Sequence, residues 1–362
     1  MLVSALERAR QIYFMVALGT HPSMTTEELE QLVGITAEER ATVYSKITIQ
    51  NHAWNDPSAL IRIGTIPVEQ LRSIAGPFWH PSLGGDVPIR LNRAAIEADR
   101  ILIVGPVFPH EVAGFSGGAK YLFPGISGPE MIDVSHWLGA LAGISRTIGI
   151  AETPVREMIE TAADVVPTPI TLLAFVVDKT GILGVFAGDR RTAWSQAVEL
   201  SRRTHIIWQD EPFNRVISWA PPMYDELWTA GKAMYKLECA TADGGELIIY
   251  APHLRTVSQV HGDLIYQVGY HVLPYFLEQW DRFSEIPLAV LAHSTHVKGA
   301  GTFEHGVERP RIDVKLSSQI PEADCMRLNL GYVDPASIDP AHPPEGYTLI
   351  PNAGEVLYRI RS

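Results

Sequence analysis

A glycine-rich stretch in the middle of the chain carries three polar side chains that could do chemistry. His110 precedes the glycines, Lys120 follows them directly, and His136 stands one short segment further on. An imidazole can transfer protons or bind a metal near neutral pH, and a lysine amine can form a covalent bond. A ligand can approach the backbone closely at four small residues, namely Gly114, Ser116, Gly117 and Gly118. The stretch therefore predicts a site for an anionic ligand.

The spacing excludes two common nucleotide-binding motifs. Lys120 follows Ala119 and precedes Tyr121, so the pattern G-x-x-x-x-G-K-[ST] does not fit, and G-x-G-x-x-G is absent from this stretch. A histidine taken alone is more often structural than catalytic, and a lysine after a glycine-rich turn is often only a solvated charge. Spacing by itself leaves both interpretations open.

A fourth candidate, His21, lies between a predicted strand at residues 12–18 and a predicted helix that begins near Thr25. Threonine or serine is the usual N-cap, and acidic residues favour the first helical turn. Loops that follow strands are where α/β sheets carry their site residues. A histidine that only caps the helix is an equally good interpretation of this position.

Strands and helices alternate along both halves of the chain. Strands are predicted at residues 12–18, 43–50, 87–91, 100–104 (as a buried strand), 170–177, 182–187, 215–219, 245–251, 288–291 and 348–350. Helices are predicted at residues 3–10 (as a helix end), 93–99, 137–144, 155–164, 191–203, 225–237 and 262–280. The alternation predicts two α/β domains with mainly parallel sheets and an active site in the cleft between them. The polar run at 209–214 predicts domains at 1–210 and 211–362.

Composition narrows the class of protein. Apolar residues make up 46% of the chain and charged residues 19%, as in a globular protein, and the net charge of −12 argues against nucleic acid or an anionic membrane as a partner. Two cysteines, Cys239 and Cys325, predict a reducing compartment, and no apolar run reaches the ~20 residues of a membrane helix. A cytoplasmic location is expected.

The central motif resembles a known family. The run HEVAGFSGGAKYLFPG from His110 to Gly125, with His136 downstream and Gly-Thr-His21 upstream, is similar to the LarA family of nickel-dependent lactate racemases and related 2-hydroxyacid racemases and epimerases. The resemblance continues through residues 183–189 and 221–232 and covers most of the chain.

The resemblance implies a nickel pincer nucleotide cofactor, pyridinium-3,5-bisthiocarboxylic acid mononucleotide nickel. Lys120 matches the lysine that holds this cofactor covalently, and His136 matches the histidine that binds the nickel. His21 and His110 match the two acid–base histidines. The four small residues of the central turn would lie against the cofactor, and proteins that make and deliver it are implied as partners.

The implied reaction inverts a 2-hydroxyacid by moving a hydride from its C2 to the cofactor while a base takes the hydroxyl proton. Lys232 matches a family lysine near the substrate. Trp228 and Thr229 stand where the lactate enzyme has a tyrosine and a glutamine, so a 2-hydroxyacid other than lactate is expected.

The chain departs from the family pattern at its start. The family places an Asp and an Arg-Pro loop before the strand at residues 12–18, and this sequence shows no such loop. A fragment or a start site placed too late is the favoured explanation, because loss of the first strand would leave a sheet edge unpaired. Pro22 also follows His21 where the family often has an arginine.

Two other functions remain alternatives. A non-catalytic binding protein for the cofactor, or an inactive truncated homologue, would need only Lys120 and His136. A zinc hydrolase could use His21, His110 and His136, although no H-E-x-x-H motif is visible. The histidines of the second half are more often structural, but closure of the cleft could bring one or two of them to the site: His253, His261, His293, His296 and His305.

Overall fold

The computed structural model describes residues 9–361, so most of the helix end predicted at 3–10 lies outside the described residues. The strands of the first half are β1 Ile12–Val16, β2 Ile47–Asn51, β3 Leu60–Ile66, β4 Val87–Asn92, β5 Ile101–Pro106, β6 Pro109–His110, β7 Gly114–Phe115, β8 Ile170–Asp178, β9 Gly181–Gly188 and β10 Ile206–Gln209. Those of the second half are β11 Phe213–Trp219, β12 Thr241–Ala251, β13 Gly301–Glu304, β14 Val307–Pro310, β15 Asp313–Ser318, β16 Gly331–Tyr332, β17 Thr348–Ile350 and β18 Leu357–Ile360.

The α-helices alternate with these strands. In the first half they are α1 Thr26–Val33, α2 Ala37–Thr42, α3 Val68–Ala75, α4 Arg93–Glu97, α5 Pro129–Ala142, α6 Pro154–Asp164 and α7 Arg190–His205. In the second half they are α8 Leu227–Ala230, α9 Lys232–Glu238, α10 Gly262–Val268, α11 Leu273–Glu278, α12 Trp280–Phe283, α13 Leu288–Lys298 and α14 Glu322–Arg327.

The fold is α/β, as predicted, and most strand pairs are parallel. The pairs β1–β2, β5–β8, β10–β18, β11–β12, β11–β17, β12–β15 and β15–β16 are parallel. The hairpins β3–β4, β6–β7, β8–β9 and β13–β14 are antiparallel. The sheets meet in one large apolar core that includes Trp137 and Phe115 from the first half and Tyr270 and Phe276 from the second.

The second half of the chain contains a five-stranded parallel sheet in the order β16-β15-β12-β11-β17. The chain runs outward from β11 through β12 and β15 to β16, and then returns to place β17 on the other side of β11. This reversal is a topological switch point, where the loops at the carboxyl ends of adjacent strands diverge and leave a crevice. The segment after β11 leads from that crevice to Lys232.

Local sequence signals predicted several elements correctly. Thr25 caps α1 in a capping box with Glu28. The strands predicted at 170–177 and 182–187 are β8 and β9, which form a hairpin in which Gly181 adopts a φ of +124°. The helix predicted at 191–203 is α7, and the side chain of Asp189 caps it by accepting from the Arg191 and Thr192 amides.

Two secondary-structure predictions were wrong, and the burial predicted for a third element, the strand at 100–104, was too high. The stretch at 288–291 is the start of helix α13, because Leu288 and the residues after it pack against α5 on a nearly all-buried helix. The stretch at 225–237 forms two helices, α8 and α9, separated at Gly231. The strand at 100–104 is only half-buried, since β5 lies at the edge of the sheet β5-β8-β9 and exposes Leu102 and Val104.

The last strand returns to the middle of the chain. Residues of β18 pair in parallel with β10, from Ile206 with Leu357 to Gln209 with Ile360. The Arg359 guanidinium also donates to the Ser145 carbonyl oxygen at 2.7 Å. The domain boundary near residue 210 stays a prediction.

Candidate functional site

The glycine-rich turn follows β5 and is packed tightly on its inner side. Gly114, Gly117 and Gly118 have φ values of +80°, +79° and +60°, in the left-handed region that favours glycine. A Cβ on Gly114 would lie 1.8 Å from the Ile150 carbonyl oxygen, and one on Gly118 would lie 2.9 Å from the Trp194 ring. These glycines are therefore required by protein packing, and any ligand must lie on the opposite side of the turn.

A buried arginine braces the same turn, and the sequence did not reveal it. The Arg156 guanidinium donates to the carbonyl oxygens of Phe115 and, at 3.3 Å, of Gly117. It also lies over the Trp194 ring, 4.1 Å from the centroid, and the Trp194 indole N–H donates to the Ser116 carbonyl oxygen at 2.9 Å. The turn is thus held by side chains from α6 and α7.

The Ser116 hydroxyl is engaged within the turn. Its Oγ accepts from the Phe108 amide at 2.9 Å and lies 3.4 Å from the Pro106 carbonyl oxygen. The hydroxyl therefore fixes the path of the chain after β5. Contact between Ser116 and a cofactor stays a prediction.

Lys120 lies in a short 3-10 helix, Gly118–Tyr121, at the end of the turn. Burial lowers the pKa of its amine to about 8, and the charges of Arg156 and Lys232 lower it as well, whereas Glu111 raises it. An amine with a pKa near neutrality is partly uncharged at physiological pH, and the uncharged amine is the nucleophilic form.

His136 lies in the middle of α5 rather than before it. Its Nδ1–H donates to the Ile132 carbonyl oxygen, one turn earlier, at 2.5 Å. This bond places the ring hydrogen on Nδ1 and leaves a lone pair on Nε2. Burial lowers the pKa of His136 to about 4, with a further contribution from the charge on Lys120, so the ring is neutral at pH 7.

His110 stands at the end of β6 beside Glu111, a second residue whose role sequence reasoning missed. The His110 Nδ1 lies 3.1 Å from the Val112 amide and 3.6 Å from Glu111 Oε2. Because Nδ1 accepts from the amide, the ring hydrogen of neutral His110 lies on Nε2, and the carboxylate at 3.6 Å acts on the ring through its charge. Burial lowers the pKa of His110 well below its usual value, while Glu111 raises it.

Glu111 is the acidic member of an otherwise basic cluster. Burial alone would raise its pKa, but the charges on His110 and Lys232 outweigh burial and hold the pKa of Glu111 well below its usual range. Since His110 is neutral at pH 7, Lys232 is the partner that keeps this carboxylate ionised under those conditions.

His21 is brought to the same cluster by the loop after β1. The Gly19 amide donates to the Gly125 carbonyl oxygen at 2.9 Å, which ties this loop to the segment just beyond Lys120. The His21 side chain is exposed to solvent, yet surrounding protein desolvates it and, with the charges of Lys232 and Lys120, lowers its pKa to about 4. A side chain that is both exposed and surrounded lies in a concave surface.

The second half of the chain contributes a lysine to the same cluster. Lys232 is the first residue of α9, and its amine lies 5.3 Å from the centroid of the Tyr224 ring. Its charge lowers the pKa of His21, His110 and Lys120. Lys120, His136 and Lys232 therefore lie close enough to His21 and His110 for their charges to lower the pKa of both histidines.

Trp228 and Thr229 lie on α8 and differ in what they contact. The Trp228 ring contacts the rings of His261 and His293, at centroid distances of 4.5 and 4.1 Å. The Thr229 hydroxyl donates to the Glu226 carbonyl oxygen at 2.9 Å, so it is engaged in the first turn of its helix. Substrate contacts of both residues stay predictions.

Helix α13 is held against the helix that carries His136. The Asp133 carboxylate, one turn before His136, accepts from the Ala289 amide at 3.0 Å and so caps α13 from another helix. This contact brings His293 and His296 toward the site. His253 instead lies 2.8 Å from the Tyr224 carbonyl oxygen, and His305 occupies the β13–β14 turn.

Comparison with known proteins gives consistent results. Residues 1–75 and 82–147 match the family described as the lactate racemase N-terminal domain. The lactate racemases of Lactiplantibacillus plantarum and Thermoanaerobacterium thermosaccharolyticum are 25% identical over 244 residues and 26% identical over 251 residues. Both alignments cover 67% of this chain. The chain belongs to the LarA family.

Solved structures show the same fold. A crystal structure of a protein from Thermotoga maritima aligns with 99% of this chain and 88% of its own, with a TM-score of 0.91 and 32% identity. The lactate racemase apoprotein of Thermoanaerobacterium thermosaccharolyticum aligns with 98% of this chain and 79% of its own, with a TM-score of 0.69 and 18% identity. The chain spans about half the length of the curated lactate racemases it matches, since the alignments cover 52% of each.

The donor set fits the cofactor of the LarA family. His136 offers a single neutral imidazole whose other nitrogen is bonded to a carbonyl oxygen, the usual arrangement for a metal ligand. Lys120 offers a buried amine with a lowered pKa. Between residues 9 and 361, no group of three or more His, Cys, Asp or Glu side chains is arranged to hold a metal ion by itself. His21, His110 and His136 therefore do not form the three-ligand zinc site considered above.

Proposed function

We propose that this LarA-family protein is a racemase or epimerase of a 2-hydroxyacid that uses a nickel pincer nucleotide. Lys120 would hold the cofactor covalently, and His136 would bind its nickel through Nε2. The observation that best supports this proposal is the convergence of Lys120, His136, His110, His21 and Lys232 on one cleft, with pKa values shifted by one another's charges.

The proposed reaction needs a hydride acceptor and groups that transfer a proton. Loss of a hydride from C2 and of the hydroxyl proton oxidises the 2-hydroxyacid to a planar 2-oxoacid, and return of both to the opposite face inverts C2. The cofactor would supply the hydride acceptor, which no side chain can provide. His21 and His110 would take and return the proton, because both are neutral at pH 7 and can accept one.

The cationic side of the cleft suits the substrate carboxylate. Lys232 approaches His21 and His110 from the second half of the chain, and its amine stays free when the cofactor occupies Lys120. An amine held in a desolvated cleft binds a carboxylate more strongly than one in water. This local positive charge stands in a chain of net charge −12.

A storage protein for the cofactor is the less favoured alternative. Storage would need Lys120 and His136 only, whereas His21 and His110 lie in the same charge-coupled cluster. We also propose a cytoplasmic location, which is supported by two cysteines that form no disulfide, Cys239 and Cys325. No helix in the described part of the chain combines the length and apolar character needed to cross a bilayer.

The proposal is tested on protein produced together with enzymes that make the cofactor. Mass spectrometry of the peptide bearing Lys120 should show an added mononucleotide, which Lys120→Arg removes. The loaded protein should racemise or epimerise one member of a panel of 2-hydroxyacids, measured by chiral chromatography. His110→Asn should lower this rate by about 100-fold or more while the cofactor remains attached, because the loss of an acid–base group affects the reaction only.

His342→Asn is the matched control, because His342 lies on an exposed loop beside Asp339 and should leave the rate unchanged. An unmodified Lys120 peptide would refute the proposal. A His110→Asn protein with the full rate would refute the assigned proton transfer, and a cofactor-loaded protein that changes no acid in the panel would favour storage. Lactate turned over as fast as any other acid would contradict the expectation of a different substrate.

A further inference from the structure

Arg156 is a buried cation that takes no part in the proposed transfer of a proton or a hydride. Its exposed fraction is only 4%. Moving a charged side chain out of water is strongly unfavourable unless its partners compensate, so a neutral side chain would fill the same space between helices more stably. The partners of Arg156 therefore indicate why an arginine stands at this position.

Those partners are carbonyl oxygens of the glycine-rich turn. The Arg156 guanidinium donates to the Phe115 oxygen and, at 3.3 Å, to the Gly117 oxygen. A guanidinium is planar and presents several donors in a fixed geometry, so one side chain can orient two peptide groups at once. A lysine ammonium is a compact charge without this fork of donors.

Arg156 is itself held in place by α6 and α7. Its guanidinium lies over the Trp194 ring, 4.1 Å from the centroid, and 3.8 Å from Glu160 Oε1, which is one turn further along α6. The Trp194 indole N–H also donates to the Ser116 carbonyl oxygen at 2.9 Å. The carbonyl groups of three consecutive residues, 115–117, are therefore fixed by side chains of two helices.

The peptide group between Gly117 and Gly118 depends most on this support. Neither residue has a Cβ, and their φ values are +79° and +60°, so rotation of this peptide group meets few steric barriers. The Gly117 carbonyl oxygen accepts from Arg156 and also from the Lys120 amide, at 3.3 Å. A rotated peptide group would lose both bonds, and the short helix that carries Lys120 would begin in a different direction.

We propose that Arg156 is a positioning residue for Lys120. By holding the Gly117 carbonyl group it prevents rotation of the Gly117–Gly118 peptide group, and so it sets the direction from which the Lys120 amine meets the cofactor. This inference rests on the proposed function, because it takes Lys120 as the point of attachment.

Charge and orientation are two separate ways in which Arg156 can act on Lys120. The positive charge lowers the pKa of the Lys120 amine, an effect that any cation at this place would produce. The fork of donors holds two carbonyl groups, which a lysine would hold only in part. Arg156→Lys therefore keeps the charge and removes most of the orientation, whereas Arg156→Met removes both.

Amide hydrogen exchange of the cofactor-free protein measures the order of the turn. Exchange in the peptide that covers residues 114–121 is followed by mass spectrometry at constant pH. We expect Arg156→Met to accelerate this exchange by at least about 10-fold, because the amides of Ser116 and Lys120 open more often once the carbonyl groups are released. Arg156→Lys should accelerate it by a smaller factor.

Arg190→Met is the matched control. Arg190 is 9% exposed and pairs with Glu160 and Asp164, so it belongs to the same group of charges between α6 and α7, but its bonds lead away from the turn. Its loss should leave exchange in residues 114–121 unchanged. Equal acceleration by Arg190→Met would indicate a general loosening of the two helices and would overturn the proposal.

The fraction of Lys120 that carries the cofactor gives a readout that does not depend on turnover. It is measured by mass spectrometry on protein produced together with the enzymes that make the cofactor. We expect Arg156→Met to carry at least about 10-fold less modified Lys120 than Arg190→Met, because a displaced amine reacts poorly. Arg156→Lys should be intermediate, and its full modification would overturn the proposal, since charge alone would then be sufficient.

The inference and the proposed function can fail separately. Unchanged exchange in Arg156→Met would overturn the inference. Should that variant not fold, Trp194→Phe keeps an aromatic ring beside Arg156 and removes the bond to Ser116, so it should accelerate the same exchange. An unmodified Lys120 in the unaltered protein would refute the proposed function, and the exchange data would still decide whether Arg156 orders the turn.

Discussion

At the scale of single residues, the site depends on one buried carboxylate among positive groups. Glu111 raises the pKa of His110, of Lys120 and of Lys236, which burial would otherwise lower further. Glu111 is therefore a positioning residue, which controls how easily its neighbours hold a proton.

Replacement of Glu111 by glutamine tests this role. In Glu111→Gln the pKa of Lys120 should fall from about 8 by about one unit, because a neighbouring negative charge that favours the ammonium is lost. The pKa is measured on cofactor-free protein from the NMR shifts of reductively methylated lysines between pH 6 and 10. Glu97→Gln, at an exposed helix end paired with Arg93, is the control. An unchanged Lys120 titration would contradict the role of Glu111.

At the scale of elements, the glycine-rich turn is shaped as much by its own packing as by any ligand. Gly114 approaches Ile150 so closely that no side chain fits, and Arg156 binds the carbonyl oxygens on either side of Ser116. Flexible glycines would be poor supports for a covalent cofactor. Here they allow a rigid turn, because α6 and α7 fill the space that larger residues would occupy.

Two glycines with nearly the same backbone conformation allow a matched test of the turn. Gly306 has a φ of +78° and open space around the position of a Cβ, whereas Gly114 has a φ of +80° and no space. Gly306→Ala should destabilise the fold by about 1–2 kcal/mol through backbone strain alone. Gly114→Ala should cost a further ~2 kcal/mol or more, because a backbone carbonyl must move.

Urea unfolding of both glycine variants measures these free energies. Circular dichroism spectra recorded without urea show whether each variant folds at all. Equal destabilisation by the two substitutions would mean that the backbone around Gly114 yields easily, and the turn would then not be the rigid support described here.

At the scale of the whole molecule, the fold collects neutral histidines in one cleft. The pKa values of His136, His261 and His296 are lowered to about 4, first by desolvation. In the unfolded chain the same groups have pKa values near 6.5. Below that pH the unfolded chain binds more protons than the folded chain, so stability is lost as the pH falls from about 6.5 toward about 4.

We therefore expect the cofactor-free protein to lose several kcal/mol of unfolding free energy between pH 7 and pH 5, since each fully buried histidine contributes on the order of 1 kcal/mol per pH unit. Urea unfolding at a series of pH values measures this loss. His296→Gln should flatten the curve, and His342→Gln, at an exposed position, should leave its slope unchanged. A stability that is constant across this pH range would contradict the burial of these histidines as neutral groups.

Local sequence was sufficient for features that depend on near neighbours. Three features could be recognised from the sequence: the cap at Thr25, the β8–β9 hairpin with Gly181, and the run from His110 to Gly125. Each of them depends on residues that lie close together in the sequence. The alternation of strands and helices likewise predicted an α/β fold with mainly parallel sheets. The family followed from the motif and agrees with the comparisons.

Only the tertiary structure decided which distant residues complete the cleft. Residues 288–291 resemble a strand by composition, yet they begin a helix because Asp133 caps it and α5 covers it, and that helix carries His293 and His296. Glu111 and Arg156 carry no distinctive spacing, and their importance arises from burial among charges and carbonyl oxygens that are remote in sequence. Burial and long-range electrostatics depend on the whole fold, so no local pattern could reveal them.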